Sequence, residues 1–199
     1  MPKEILFDEQ VALKQAMELF WCKGYNATSM DELTKVTGLS RSSIYNTFGG
    51  KHELFMQTLK YYQDAQDKEM EQVVSAITSP LQKIKAVFAY AVDDVVGDKQ
   101  HKGCLVVNST TELANADDEV KRYVTQTMES KEQVFAGWVK GGQAAGEINT
   151  AFSPEALAAH LFNLYSGLKV SGKAKPDRKH LEAVVQVGLS VLERSAVGK

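Results

Sequence analysis

The sequence predicts an all-α protein of about nine helices. Apolar residues recur at helical spacing along most of the chain, and none of the four prolines interrupts a long periodic stretch. No Asn-Gly or Asp-Gly turn lies between alternating apolar runs, as a β-hairpin would require. The chain has 199 residues, 44% of them apolar and 24% charged, and this composition excludes global disorder.

The N-terminal part predicts three short helices and a longer one. Asp8 is placed to cap the first helix, and Gly24 is expected to end it in a left-handed conformation. The sequence Ser29-Met30-Asp31-Glu32 is a capping box that opens the second helix. Ser40 begins a third short helix, and a long connecting helix is expected over residues 51–78.

The rest of the chain predicts five further helices. Helical periodicity covers residues 81–95, 104–114, 118–145, 154–168 and 177–194. The segments between them, including residues 172–175, are polar or rich in glycine and are expected to form loops. In Ser153-Pro154, a capping residue is followed by proline at the first helical position.

The residues around Gly38 have the pattern of a helix-turn-helix. Two short helices are joined by Thr37-Gly38-Leu39, and Gly38 supplies a backbone conformation with positive φ. The second helix has one clear apolar anchor, Ile44. Its other side chains can hydrogen-bond: Arg41, Ser42, Ser43, Tyr45, Asn46 and Thr47. Small hydroxyls with Arg and Asn suit the reading of base edges in a major groove.

The segment GYNATSMDELTKVTGLSRSSIYNTFGGKHELF resembles the DNA-binding signature of TetR/AcrR-type transcriptional regulators. The matching positions are Gly24-Tyr25, Thr28-Ser29, Leu33, Gly38-Leu39-Ser40, Ile44-Tyr45, Phe48, Gly49, Lys51 and Leu54. The resemblance implies a DNA-binding domain over residues 1–50 with the connecting helix at 51–78. It also implies a ligand-binding and dimerisation domain over residues 79–199. Residues 102–114, KGCLVVNSTTELA, further resemble a subset with a Gly-Cys-Leu motif.

Nine residues form the predicted contact with DNA. By resemblance, Tyr45 and Lys51 would touch phosphates, with Thr28 and Ser29 supporting through hydroxyl and helix-terminus N–H groups. The candidates for base contacts are Arg41, Ser42, Ser43 and Asn46, and Thr47 completes the set. Tyr45 has the alternative of a half-buried core aromatic, and Asn46 that of a solvated surface residue.

The charge balance limits how the chain holds nucleic acid. The whole sequence has 23 Lys and Arg against 25 Asp and Glu, a net charge of −2. Residues 1–60 contain seven basic and seven acidic side chains. This balance excludes a protein that coats nucleic acid by bulk charge, and it predicts few neutralised phosphates and a modest salt dependence.

A small-molecule pocket is expected between the helices of residues 81–168. Its candidate lining residues are Phe88, Val92, Cys104, Val107, Asn108, Thr111, Phe135, Trp138 and Tyr165. Ordinary core packing is the alternative for each of them. Asn108 and Glu112 lie one helical turn apart and would either orient a ligand or face water. Cys104 would be either a redox or electrophile sensor or a buried inert thiol.

The last two helices carry more apolar surface than one subunit readily covers. By resemblance, they would pair with their copies in a four-helix homodimer interface, and the alternative is a fully intramolecular core. The predicted interface residues are Leu157, Leu161, Leu164, Leu168, Leu181, Val184, Val185 and Leu189. Two recognition helices about 34–36 Å apart would then read a palindromic operator.

Motifs for catalysis and for metal binding are missing from the sequence. Its four histidines form no HExxH pair, and its two cysteines, Cys22 and Cys104, form no CxxC pair. We therefore expect no enzyme activity, metal or cofactor, and a structural hydrogen bond for His160. The start, MPKEILFDEQ, has no apolar signal region, and no apolar run is long enough to span a bilayer.

The expected protein is thus a cytoplasmic homodimer that binds double-stranded operator DNA and an unknown small-molecule inducer, with no membrane partner. The resemblance implies a repressor of transcription, and an activator is the alternative. A helical adaptor that does not bind DNA is the other class of protein to consider. The polar character of residues 41–47 weighs against it.

Overall fold

The computed structural model describes residues 8–193, which form nine α-helices and a short 3-10 helix, Ser190–Leu192. The helices are α1 Glu9–Lys23, α2 Met30–Thr37, α3 Arg41–Phe48, α4 Lys51–Val74, α5 Pro80–Gly97, α6 Leu105–Leu113, α7 Asp118–Ala144, α8 Pro154–Ala174 and α9 Arg178–Leu189. The all-α prediction is confirmed. The last helix was predicted to reach Arg194, and this is corrected: α9 ends at Leu189, the 3-10 helix follows, and the backbone at Glu193 is extended. The outer ends of the predicted domains, at residues 1 and 199, lie outside the described residues.

The predicted caps of the first helices are present, with one correction. The Asp8 carboxylate accepts the first free N–H groups of α1, and Ser29 and Glu32 make both bonds of the capping box. Gly38 has φ 68° and ψ 8°, the left-handed conformation that the tight turn requires. Gly24 has φ 86° but ψ 164°, so the chain leaves α1 extended and does not complete a left-handed turn.

Two other predicted helix boundaries are corrected. The connecting helix α4 ends at Val74 and does not reach residue 78. Helix α8 continues to Ala174, through the glycine and lysines that predicted a loop. The reason is packing, because a Cβ at Gly172 would lie only 2.2 Å from Cγ1 of Val95. Gly172 therefore allows α8 to approach α5 closely, and it does not break the helix.

The buried apolar residues form two clusters whose division does not follow the predicted domains. The first cluster contains core residues of α1 to α4, such as Phe20 and Phe55, together with Leu105 and Leu113 of α6 and Val120 of α7. The second cluster joins α5, α8, α9 and the later part of α7. Helix α6 therefore packs on the core of the N-terminal helices although it lies beyond the predicted boundary at residue 79.

Candidate DNA interface and ligand cavity

Helix α3 presents a polar face to solvent. Ile44 and Phe48 are buried and anchor the helix on α1, α2 and α4. The exposed residues are Arg41, Ser42, Tyr45 and Asn46. Because they follow the spacing i, i+1, i+4, i+5, they share one face of the helix. Tyr45 is 56% exposed, so its ring is partly covered, as the alternative of a half-buried aromatic expected, and is still open to solvent on this face.

Two of the predicted contact residues on α3 are less available. The Ser40 hydroxyl caps the helix by accepting the N–H of Ser43 at 3.0 Å. It also lies 2.8 Å from the Ser43 hydroxyl and 2.9 Å from that of Ser42. Ser43 and Thr47 are partly buried. In the described structure, Ser43 therefore bonds mainly with the Ser40 hydroxyl that caps α3.

Arg41 is held in place by an ion pair that the sequence did not indicate. Its Nη2 donates to Oδ1 of Asp31 on α2 at 2.6 Å, and both side chains are largely exposed. The neighbouring Asp31 carboxylate raises the pKa of Arg41, so the guanidinium stays charged. An exposed ion pair contributes little to stability, but it holds the guanidinium at the start of α3.

The beginning of α4 lies beside two tyrosine rings, those of Tyr45 and Tyr25. The N-cap residue Gly50 has no side chain to bond the free N–H groups of the first turn, and such groups favour an anion. A Cβ at Gly50 would lie 3.2 Å from the Tyr45 ring, so the ring lies against this end of α4. The Lys51 Nζ lies 4.3 Å from the centre of the Tyr25 ring. Partial burial lowers the pKa of Lys51, and Glu112 opposes that shift.

Thr28 and Ser29 have structural roles in the described residues. Thr28 is 2% exposed, and its hydroxyl donates to the Gly24 carbonyl at 2.7 Å. The predicted support of a phosphate by the Thr28 hydroxyl is therefore corrected, because that hydroxyl is buried and already bonded. Ser29 is exposed, and its hydroxyl is bonded to Glu32 within the capping box.

The Glu32 carboxylate gives a pH-dependent prediction. Hydrogen bonds from Lys23 at 2.5 Å and from the Ser29 N–H at 3.0 Å lower the pKa of Glu32 to about 2. A lowered folded-state pKa contributes stability above pH 4.5 that is lost as pH falls towards 2. The difference in thermal midpoint between wild type and Glu32→Gln should therefore shrink over that range, as followed by circular dichroism.

The matched control is Glu129→Gln, which removes an exposed carboxylate of α7. Its difference from wild type should stay constant over the same pH range. A constant difference for Glu32→Gln as well would mean that the capping box does not hold the Glu32 carboxylate in its charged form.

A cavity of about 370 Å³ lies among α4, α5, α6, α7 and α8, and we call it the central cavity. Most of its lining side chains are apolar or aromatic. Five of the nine predicted lining residues contribute to it: Cys104, Val107, Phe135, Trp138 and Tyr165. The rings of Phe135 and Trp138 pack edge to face with their centres 5.8 Å apart.

The other four predicted lining residues lie elsewhere. Phe88 and Val92 are buried in the core behind the cavity, where the Phe88 ring packs 6.2 Å from that of Phe135. Asn108 and Thr111 line a separate cavity of about 230 Å³ between α1 and α6. The Asn108 amide donates to the Lys102 carbonyl at 2.8 Å, so its polar group is already bonded within the chain.

The prediction missed the contribution of α4 to the central cavity. The residues concerned recur at every fourth position along α4: Tyr62, Gln66, Met70 and Val74. That spacing was a usable signal, because it continues one face of the helix beyond its buried part. Phe162 of α8 was also missed.

The ionisable groups that line the central cavity are Tyr62, Tyr165, Cys104 and the charged side chains Asp67, Glu71 and Lys131. Burial raises the pKa values of Tyr62 and Tyr165, so both hydroxyls remain protonated donors. Lys131 is paired with Asp67, and both are partly open to solvent. Among residues 8–193, no three His, Cys, Asp or Glu side chains are grouped to hold a metal ion, and no helix can cross a membrane.

The predicted dimer interface needs a substantial correction. Five of its eight residues are buried inside their own subunit: Leu157, Leu161, Leu168, Leu181 and Leu189. They cannot reach a partner because they fill the core between α5, α7, α8 and α9. The exposed apolar side chains of the last two helices are instead Val170, which is 55% exposed, and Val187, which is 74% exposed. His160 joins α8 to α9 through its Nε2, 2.8 Å from the Gly188 carbonyl oxygen.

A helix-turn-helix with a polar exposed face, continued by a long helix into a helical domain with an apolar cavity, defines a class of protein: the helix-turn-helix transcriptional regulators. Residues 12–58 match the family described as "Bacterial regulatory proteins, tetR family". Residues 80–187 match "Tetracyclin repressor-like, C-terminal domain". The chain belongs to the TetR family of DNA-binding transcriptional regulators.

Relatives and solved structures agree with this assignment. The chain is 29% identical to the HTH-type transcriptional regulator YezE of Bacillus subtilis (strain 168), over 94% of this chain and 97% of that protein. It is 26% identical to the HTH-type transcriptional repressor ComR of Escherichia coli (strain K12), over 94% and 88%. A cysteine variant of the TetR family regulator CifR, complexed with a 26 bp double-strand operator DNA, has a TM-score of 0.85 and 26% identity, covering 96% of this chain and 100% of that chain. These relatives are named as transcriptional regulators. The subset with a Gly-Cys-Leu motif stays a prediction.

Proposed function

We propose that the protein is a homodimeric repressor, released from a palindromic operator when a small uncharged apolar molecule enters the central cavity. The observation that carries this proposal is the path of α4. Its first residue, Lys51, lies at the predicted DNA face, and its later residues Met70 and Val74 line the cavity. One continuous helix of about 36 Å therefore joins the two sites. The protein acts in the cytoplasm, without a cofactor, and catalyses no reaction.

The DNA side of the proposal rests on the exposed face of α3. Arg41, Ser42 and Asn46 approach base edges, and Tyr45, Lys51 and the uncapped start of α4 contact phosphates. Ser29, Ser43 and Thr47 flank this face and contribute less, because they are bonded within the chain or partly buried. The repressor name of ComR and the operator complex of CifR support this reading.

The ligand side of the proposal rests on the chemistry of the central cavity. Its aromatic and aliphatic lining favours an apolar molecule, and its volume of about 370 Å³ lies within the range of small-molecule sites. Lys131 is already neutralised by Asp67, so a buried anion would lose its hydration without gaining a free cation. The protonated hydroxyls of Tyr62 and Tyr165 can donate to a carbonyl or ether oxygen of the ligand.

The dimer rests on the exposed edge of α8 and α9. Val170 and Val187 are apolar, exposed and carried by neighbouring helices. A two-fold axis through this edge would bring each patch against its copy, as closed symmetric dimers require. Leu164, Val184 and Val185 are partly buried beneath that edge and would support it.

The function is tested with a duplex selected from a random library for binding to the protein. Operator affinity is measured by fluorescence anisotropy with small aromatic ketones and with carboxylates of the same size and ring system. The ketones should raise the thermal midpoint and weaken operator binding about 5- to 150-fold, the usual range of allosteric coupling. The carboxylates should do neither.

Coupling requires that the ligand bind the two states of the protein with different affinity. A ketone that raises the thermal midpoint but leaves operator affinity unchanged would contradict induction through this cavity. Release by the carboxylates alone would contradict the uncharged class of ligand.

A further inference from the structure

Helix α6 packs on the core of the N-terminal helices, and one of its side chains, that of Glu112, also bonds their backbone. Its Oε2 accepts the backbone N–H of Tyr25 at 3.1 Å, and its Oε1 accepts that of Asn26 at 2.8 Å. Both N–H groups belong to the turn between α1 and α2. Hydrogen bonds from N–H groups to a charged carboxylate are among the stronger ones in proteins. One residue of α6 thus bonds two successive N–H groups of the turn that leads into the helix-turn-helix.

The conformation of Gly24 is matched to this contact. Gly24 has φ +86°, and a Cβ there would lie 2.8 Å from Oε2 of Glu112. Any side chain at this position would displace the carboxylate. The turn leaves α1 extended at Gly24, which directs the N–H groups of Tyr25 and Asn26 towards α6.

The turn held by Glu112 also positions the predicted phosphate contacts. The Tyr25 ring packs 4.9 Å from that of Phe55 on α4, and it carries Lys51 on its face. Beyond the turn, the chain enters α2 at Ser29, and α2 packs against α3. The placement of Lys51 and of the helix-turn-helix therefore depends on where this turn is held.

The other end of α6 lines the central cavity. Its N-cap Cys104 and the adjoining Val106 and Val107 are lining residues, and Glu112 lies near the opposite end of a helix about 13 Å long. The indole N–H of Trp21 on α1 donates to the Gly103 carbonyl at 3.1 Å, just before α6. Helix α6 is thus attached to the N-terminal helices at both ends and touches the ligand site at one.

We propose that Glu112 is a positioning residue for DNA binding: its contact with the backbone of the turn between α1 and α2 holds the helix-turn-helix and Lys51 in place. The proposal rests on the proposed function and names a residue on which DNA binding depends. When the contact is intact, the turn holds α2, α3 and Lys51 in the arrangement that binds DNA. When it is lost, only a fraction of the molecules has that arrangement, and operator affinity falls to that fraction of its original value.

The test compares Glu112→Ala and Glu112→Gln with Thr111→Ala, an exposed neighbour whose hydroxyl bonds only carbonyls of its own helix. In Glu112→Ala, the amides of Tyr25 and Asn26 should exchange hydrogen at least about tenfold faster. Operator affinity should fall about tenfold or more. Glu112→Gln keeps one acceptor oxygen and should be intermediate, and Thr111→Ala should match wild type.

The thermal midpoint separates positioning from folding. It should change little in Glu112→Ala, because Lys102 with Glu18 and His52 with Asp117 also join the two parts of the chain, at 3.0 and 2.8 Å. If Glu112→Ala does lower the thermal midpoint, the Glu112→Gln variant distinguishes a positioning role from a role in folding. Weaker operator binding at a wild-type midpoint supports the proposal, and unchanged binding overturns it.

A wild-type protein that binds no duplex overturns the proposed function. Normal wild-type binding with unchanged binding by Glu112→Ala overturns the positioning role alone.

Discussion

Val187→Asp is expected to convert the protein to a monomer and to weaken operator binding about a thousandfold or more. Val187 is 74% exposed on α9, so the substitution leaves the core of the subunit intact. In the proposed interface the new carboxylate would be buried near its own copy, and two like charges in that position oppose association. A monomer reads one half-site only, and its affinity should approach that of non-specific binding.

The two effects are measured separately, association by sedimentation velocity and binding by fluorescence anisotropy. Met128→Asp on α7 is the matched control, because it also places a carboxylate at an exposed apolar position, on a helix that is not part of the proposed interface. It should remain a dimer and bind as wild type does. A dimeric Val187→Asp protein would show that the interface lies on another surface.

Arg41→Ala is expected to weaken binding about tenfold to hundredfold per half-site and to relax the preference at one base pair of each half-site. Arg41 is the one Arg side chain on the exposed face of α3, and a guanidinium can bond two acceptors of a guanine at once. Because a dimer presents two copies, the loss over a whole operator is the product of the two. Binding is measured on the selected duplex and on its single-base variants.

Asp31→Ala is the control that separates DNA contact from structural pairing, because Asp31 is the partner of Arg41 in the free protein. Removing it frees the guanidinium and removes an anion near the DNA, so operator affinity should be unchanged or higher. Equal losses in the two variants would show that Arg41 acts through its ion pair. An equal loss for every duplex sequence would make Arg41 a phosphate contact.

The parts of the fold that sequence predicts well are those that local interactions determine. The capping box at Ser29 and the turn at Gly38 depend on neighbours within a few residues, and both are present as predicted. The exposed face of α3 follows from the positions of Ile44 and Phe48 alone. Local sequence also determines whether a segment is helical. The position at which α8 ends, by contrast, depends on how closely Gly172 approaches Val95 on another helix.

The parts that sequence did not predict depend on which surfaces meet in three dimensions. The leucines of α8 form a stripe that fits either a subunit core or a dimer interface, and only the position of α5, α7 and α9 shows that Leu161 and Leu168 are covered within the subunit. For Asn108 and Glu112 the sequence allowed two interpretations, a contact with the ligand or exposure to water. Glu112 in fact meets backbone N–H groups 86 and 87 positions away, which no sequence pattern marks.

The central claim is that two copies of this chain read a palindrome through α3, and selection of bound sequences from a random duplex library tests it most directly. The account predicts enrichment of two inverted half-sites whose centres lie one helical turn, about 10 bp, or a multiple of it apart. Two subunits should bind each selected duplex. Enrichment of a single unrepeated half-site, or no enrichment at moderate salt, would contradict the account.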